Sequence, residues 1–462
     1  MAIPEEARAT AVDLSEAASK FLDYVAAHPD AARRLDYAAA DLPAWVQLYT
    51  YKLQTWPVLV DRRKLEEIER ATIAITKLFR SVPERIFDGD PRRISSFYGV
   101  NEDWVTLILE PPSGIESSLA RCDLVDSDTG LKCVEVNLSA NLGGWQLRFF
   151  EEVCRRNPSI ARFFEREGIA PRHRDPWRIL FHHVAEESRR AAICEGGELN
   201  TALVVDSWLL PATEESTRSL NEVYSAALRS NGASPCGKLV LCSYPDGLTG
   251  KGGRLYHGDT QVHAVVEYTQ EVTSASVYRC FKADKICLFN GPLSQFMGSK
   301  RVLALLSEHE GSARFSDDER ALIRAHIPWS RDVTAGETTF RGEATSLLDL
   351  LVARQGEFVL KPNLGSQGEG VYVGRSTAPE EWEQCVRSAA ANGGWVVQEH
   401  IDSRPYLYQA GEAGSDLHDT VWGTFCFGDI YGGGFLRIMP RGRGSGVINA
   451  ARGAALAFIF EV

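Results

Sequence analysis

Hydrophobic and polar positions divide the chain into a helical opening, a strand-rich middle and a mixed remainder. Beyond Asp13, the residues Phe21, Leu22 and Val25 fall on one helical face. The stretch KLEEIERATIAITKLF repeats the pattern with Leu65, Ile68, Thr72, Ile75 and Phe79. Residues 1–95 therefore predict a helical N-terminal region. Strand patterns follow in WVTLILEPP, then in ARCDLVD and LKCVEVNL on either side of the turn sequence SDTG. A helix through WQLRFFEEVCRR completes the segment 96–175.

From 176 to 290 the pattern alternates. TALVVDSWLL reads as a strand, ESTRSLNEVYSAALRSNG as a helix ended by Gly232, and KLVLCSY as a second strand. That βαβ order predicts a small parallel sheet, and RLYHGDTQVHAVVEY reads as a hairpin. The segment 291–462 holds a helix (KRVLALLSEH), the strand FVLKP, a glycine-rich loop, the strand GGWVVQEHI and strands around CFGDIYGGGFLRIM. The final AALAFIFEV reads as a buried strand.

Composition narrows the class. A length of 462 residues exceeds what one domain usually needs, and 44% hydrophobic with 24% charged residues is ordinary for a globular protein. The net charge of -12, with no basic stretch, argues against nucleic-acid binding. It also means that local cations must hold any anionic ligand. Ten scattered cysteines without a C-x-x-C pair argue against a disulfide framework or a structural zinc site. The acidic first thirty residues do not read as a signal peptide, and no apolar run reaches membrane-spanning length. The expectation is a soluble, cytoplasmic protein with no membrane partner.

The densest chemistry lies in Arg121-Cys-Asp123 and Glu135-Val-Asn137. Strand alternation puts each pair on one face, and a hairpin centred near Thr129 would set Asp123 opposite Glu135 and Arg121 opposite Asn137. Two carboxylates and an amide oxygen suit a hard cation such as Mg²⁺, and an arginine beside them could stabilise a transferring phosphoryl group. Alone, the same ribbon reads more readily as a solvent-facing hairpin with cross-strand ion pairs, and another segment is needed to decide. The pair His182-His183 lies on a predicted helix, where adjacent positions diverge, which argues against a shared metal.

A second segment, FVLKPNLGSQGEGVYV, brings Lys361 off an apolar strand into a loop with Gly365, Ser366, Gln367, Gly368 and Gly370. Glycines let backbone N–H groups approach phosphate oxygens, and the lysine adds a point charge. The loop matches neither a Walker A motif nor a dinucleotide fingerprint, and a plain glycine-rich turn is the simpler alternative. Lys300 opens the preceding helix. The strand WVVQEHI offers Gln398 and the backbone around Glu399 and Ile401 to an adenine edge.

In that order the segments resemble the circularly permuted branch of the ATP-grasp ligases. The likeness is greatest to the synthetase domain of glutathionylspermidine synthase, and more distant to eukaryotic glutathione synthetase. It rests on R-x-D at Arg121 and Asp123, E-x-N at Glu135 and Asn137, Lys300, and Lys361-Pro362 with the glycine loop. The resemblance implies an α/β (α+β) ATP-grasp fold with a helical N-terminal region, metal-binding strands, a small parallel-sheet substrate domain and a nucleotide-binding region with a glycine lid. It implies Mg²⁺ on Asp123, Glu135 and Asn137, and ATP on Lys300, Lys361, the glycine loop, Gln398, Glu399, Ile401 and Arg437, with Asn449 nearby. Arg121 would be catalytic, and Ser139 and Asn141 would meet the substrate carboxylate.

The implied activity is a C–N ligase that joins a carboxylate to an amine through an acyl phosphate. Its substrates would be small molecules (amino acid, short peptide or polyamine), and assembly as a homodimer is left open. An ATP-grasp phosphotransferase and a non-catalytic nucleotide-binding protein are the alternatives. Two departures stand out. Eukaryotic glutathione synthetase has an acidic metal ligand where Gly365 stands here, with Glu369 as the loop acid. The arginine-bearing segment of these relatives' middle domain stands here as VVEYTQ, with Glu267 and Tyr268; if that segment meets substrate, glutathione-like recognition is not expected.

Overall fold

The computed structural model describes residues 2–28, 35, 50–109, 118–139, 142–145, 147–193, 197–208, 213–229, 236–269, 271–290, 297–365, 368–409, 414–442, 444 and 446–462. Among these, three larger sheets organise the chain, and no helix is long and apolar enough to cross a membrane. The nine described cysteines are all free.

The central sheet has seven strands. Its order runs Val58–Val60, Ala455–Glu461, Ile430–Pro440, Ser415–Phe427, Leu119–Ser127 and Gly130–Asn137, with Tyr406–Gln409 also paired to Ser415–Phe427. Only the Val58–Val60 edge runs parallel to its neighbour. That short strand interrupts the all-helical reading of the N-terminal region. The helix Arg62–Phe87 crosses one face of the sheet, burying Leu65, Ile68, Ile75 and Phe79 as their spacing requires. Thr72 and Thr76 on the same stripe are satisfied within the core. The Thr72 hydroxyl donates to Ile68 O at 2.7 Å and lies 2.9 Å from the Thr424 hydroxyl. Helices Leu147–Arg156 and Pro176–Arg190 also pack against the sheet.

One expected strand is a helix. Within WVTLILEPP, residues up to Leu109 belong to the helix Glu102–Leu109. Asn101 decides this: its side-chain oxygen accepts from the backbone N–H of Asp103 at 2.8 Å, and acids fill the first turn. A capped helix start outweighs the β propensity of Trp104, Val105 and Thr106.

The second sheet is antiparallel, in the order Ser330–Asp332, Trp395–Glu399, Phe358–Pro362, Tyr372–Val373. Leu347–Ala353 and Pro379–Asn392 supply its core through Leu351, Trp382 and Val386. The third sheet is the parallel one expected from the βαβ pattern: Cys287–Phe289, Ala264–Tyr268, Thr201–Val205, Leu239–Cys242. The RLYHGDTQVHAVVEY stretch divides. Arg254–His257 and Thr260–Val262 form a hairpin, while AVVEY joins the parallel sheet.

Candidate active site

The Leu119–Ser127 and Gly130–Asn137 strands turn over Asp128 and Thr129, and their register pairs Asp123 with Glu135 and Arg121 with Asn137. The register shifts immediately after Asp123, leaving Val134 without a cross-strand partner. This bulge frees the Val134 carbonyl, which accepts from Lys361 Nζ at 3.1 Å. A local irregularity in the first sheet thus anchors a lysine delivered by the second.

Each acidic group of the hairpin is met by cations. Asp123, 2% exposed, accepts from Arg121 Nε at 2.9 Å and Nη2 at 3.3 Å, and lies 2.7 Å from Arg437 Nη2. Burial works against its charge, but Arg121 and Arg437 outweigh that and hold its pKa at about 2. Arg121 also donates to Gly143 O at 3.1 Å, tying it to the loop after the hairpin. The Arg437 contact is an ion pair off the direction of a good hydrogen bond. Nε and Nη2 of this buried guanidinium therefore keep unspent donors.

Glu135 meets Lys300 Nζ at 3.1 Å, and the same ammonium donates to Gly365 O of the glycine loop at 3.0 Å. Lys361 donates to Gln398 Oε1 at 2.7 Å, while Gln398 Nε2 donates to Ser330 Oγ at 3.2 Å. The Gln398 side chain is thus spent on orienting Lys361. Burial, opposed by Glu135 and reinforced by Lys300, pulls Lys361 down to about 8.

These groups face one cavity of about 680 Å³ between the central sheet and the antiparallel four-stranded sheet. Of the residues singled out from sequence, Asp123, Glu135, Lys300, Lys361, Gly365, Gly368, Glu369, Gln398, Glu399, Ile401, Arg437 and Asn449 line it. Arg121, Asn137, Ser139 and Gly370 do not, although Arg121 acts one contact behind Asp123. Ser366, Gln367 and Asn141 lie outside the described residues. Asn449 spends its side-chain oxygen on the Ala451 N–H at 2.9 Å, capping a short turn. The Glu399 carboxylate pairs with Arg341 at 2.7 Å.

Sequence reading missed a second group at the cavity wall: Glu6, Arg375, His400, Asp402, Arg404, Asp419 and Arg441. Burial, reinforced by Arg375, pushes His400 down to about 4. The pairings Arg375–Asp402 at 2.5 Å and Arg441–Asp419 at 2.9 Å span 27 and 22 residues, and no motif spacing signals them. The VVEYTQ segment, singled out from sequence, makes contacts of its own. Buried Glu267 accepts from the Tyr244 hydroxyl at 2.5 Å and the Thr273 hydroxyl at 3.1 Å, and burial raises its pKa. Tyr268 packs near Trp177, and His183 is buried beside Phe289.

The donor set fits a hard divalent cation with few protein ligands. Asp123 and Glu135 are opposed carboxylates facing the cavity, and Mg²⁺ characteristically uses one or two carboxylates with phosphate oxygens and water. Asn137 stands next in register behind them, its amide nitrogen buried without a partner. Among the described residues no three His, Cys, Asp or Glu side chains form a metal cage.

In sequence, no family model and no curated protein matches the chain. In structure, it is similar to a glutathione synthetase-like effector from Globodera pallida in its apo form. That match has a TM-score of 0.52 at 13% identity, over 90% of this chain and 91% of that one. A protein named as a candidate gamma-glutamylcysteine synthetase from Methylobacillus flagellatus matches at a TM-score of 0.40 and 12% identity, over 84% and 88% of the two chains. The second likeness is too loose to carry a correspondence between sites. The first shows the fold: this chain has the overall architecture of a glutathione synthetase-like protein.

Proposed function

We propose that the chain is an ATP- and Mg²⁺-dependent ligase that activates a carboxylate as an acyl phosphate and joins it to an amine. The observation that carries this reading is the set of reciprocal ion pairs in one cavity: Asp123 with Arg121 and Arg437, and Glu135 with Lys300, beside Lys361 and the glycine loop. Such a site is built to exchange partners. Nucleotide phosphates would take over the lysines and the unspent donors of Arg437, releasing the two carboxylates.

Mg²⁺, held by Asp123 and Glu135, would supply charge neutralisation on the phosphates. Lys300 and Lys361 would hold the phosphate oxygens, and the glycine loop would cover them and exclude water. A substrate carboxylate oxygen would attack the γ-phosphorus as the bond to ADP breaks. The amine would then attack the acyl carbon, expelling phosphate and losing a proton. Arg437 in the cavity wall, and Arg121 from behind Asp123, would stabilise the charge that develops. Positioning and charge stabilisation carry such a reaction, so no side-chain nucleophile is needed. Burial pushes the nearby Cys133 thiol well up, consistent with an inert cysteine.

The order of the segments, hairpin before lysine and glycine loop, supports placing the chain in the circularly permuted branch. The replacement of the substrate arginine segment by Glu267 and Tyr268 speaks against glutathione-like recognition.

The test is phosphate release across a matrix of carboxylates and amines, with mass spectrometry of the products. The ligase reading expects ADP and phosphate only when both partners are present, and a product whose mass is their sum less water. A phosphorylated product formed without amine would favour a phosphotransferase, and no nucleotide-dependent product across the matrix would count against both.

A further inference from the structure

The helix Glu5–Leu14 reaches the cavity through two acids. Glu6 lines it and lies 3.5 Å from Arg441 Nη1. Asp13 makes the stronger connection. Its Oδ2 accepts from Lys64 Nζ at 2.9 Å and from Arg404 Nη1 at 2.8 Å, so one carboxylate oxygen bridges a buried lysine and a cavity-lining arginine.

The rest of the network shows which partner depends on Asp13 most. Lys64, 1% exposed, also meets Asp126 at 3.2 Å and Glu67 at 3.5 Å. Asp126 in turn accepts from the Tyr406 hydroxyl at 3.2 Å. Without Asp13, the buried ammonium keeps two carboxylates. Among the described residues, Arg404 then keeps only a 3.5 Å side-chain contact with Asp128, whose side chain is 98% exposed. The Arg404 backbone N–H donates to Asp126 O at 2.7 Å, so its main chain stays docked while its guanidinium loses its fixed partner.

Arg404 lies beside Asp128 at the hairpin turn. Asp128 is five residues beyond Asp123, roughly 16 Å along an extended strand. Lys300 and Lys361 gather at the Asp123–Glu135 end, whereas Arg404 lines the cavity beside the hairpin turn, in the segment that follows the strand Trp395–Glu399; with the phosphates on the two lysines, that is the end left to the nucleoside. We infer that Asp13 is a positioning residue for nucleotide binding: through Arg404 it shapes the nucleoside end of the cavity, making the N-terminal helix part of the site. This inference rests on the nucleotide-dependent reading above.

The experiment titrates ATP and, separately, inorganic tripolyphosphate into the full chain and into Asp13→Asn, Asp13→Glu, Arg404→Gln and the double variant Asp13→Asn/Arg404→Gln. Loss of one charge-assisted hydrogen bond predicts about tenfold weaker ATP binding in Asp13→Asn. Tripolyphosphate, which lacks the nucleoside, should bind within about twofold of the unmodified chain. Asp13→Glu should recover most of the ATP affinity, and the double variant should bind ATP no more weakly than Arg404→Gln. Unchanged ATP affinity in folded Asp13→Asn, equal losses for both ligands, or additive effects in the double variant would overturn the inference. If Asp13→Asn does not fold, Arg404→Gln with the same two ligands decides. Failure of the unmodified chain to bind ATP is a separate result, which overturns the nucleotide-dependent reading itself.

Discussion

Asp123 and Glu135 are register partners across one hairpin, yet each carboxylate is neutralised by cations from beyond the facing strand. Asp123 is fixed by arginines on its own strand and on Ile430–Pro440, and Glu135 by Lys300 ahead of the helix Arg301–Glu308. Two like charges brought together in this way are held by the three cations that converge on them.

That asymmetry separates two substitutions that look equivalent in sequence. Glu135→Gln alters a side chain that is 29% exposed, so the fold should survive while turnover falls at least about a hundredfold. Asp123→Asn should also abolish turnover, but it strips the counter-charge from two buried guanidinium groups and should cost about 3–5 kcal/mol of stability. Melting curves alongside nucleotide turnover check both, and normal turnover in Glu135→Gln would contradict the metal assignment.

The acid–base state of Lys361 gives a pH signature. Its free-site pKa is pulled from 10.5 to about 8, and the ammonium is the form that holds phosphate. As pH rises through that value the free site loses the proton, so nucleotide affinity should fall by up to about tenfold per pH unit. Lys361→Ala should weaken nucleotide binding already at neutral pH. Lys361→Arg should flatten the alkaline decline, because a guanidinium stays charged. Calorimetric titration with ATP near pH 7 and near pH 9 makes the measurement, and a flat profile in the unmodified chain would contradict the assignment.

Gly144 tests the support beneath Arg121. Its φ is +108°, and an added Cβ would lie 2.2 Å from the Phe435 ring. That ring sits 5.8 Å from the Arg121 guanidinium. Gly144→Ala should therefore displace Phe435, destabilise the fold by roughly 2–4 kcal/mol and lower turnover. An unchanged melting temperature would contradict the packing described.

The hairpin was legible because a period of two and a compact turn determine which side chains oppose each other. Asp123–Glu135 and Arg121–Asn137 match a hairpin centred near Thr129, although the turn itself pairs Ser127 with Gly130 and would set Asp123 opposite Val134; the bulge after Asp123 supplies the one-residue shift. The parallel sheet was legible for a similar reason, since a strand, a helix and a strand in succession leave few arrangements. Trp104–Leu109 misled because its apolar, β-branched run conceals a helix whose start is set by one asparagine. The Asp13–Arg404 and Lys361–Val134 contacts were illegible, because they depend on how separate sheets and helices dock. Gln398 sat at an expected position but proved to orient a lysine.

The central claim is activation of a carboxylate as an acyl phosphate, and oxygen isotope transfer tests it most directly. With the carboxylate and amine pair that supports turnover, the carboxylate is labelled with ¹⁸O and the released phosphate is analysed by mass spectrometry. Attack of the carboxylate on the γ-phosphorus predicts one ¹⁸O atom in each phosphate released. Unlabelled phosphate released alongside the amide would contradict the account.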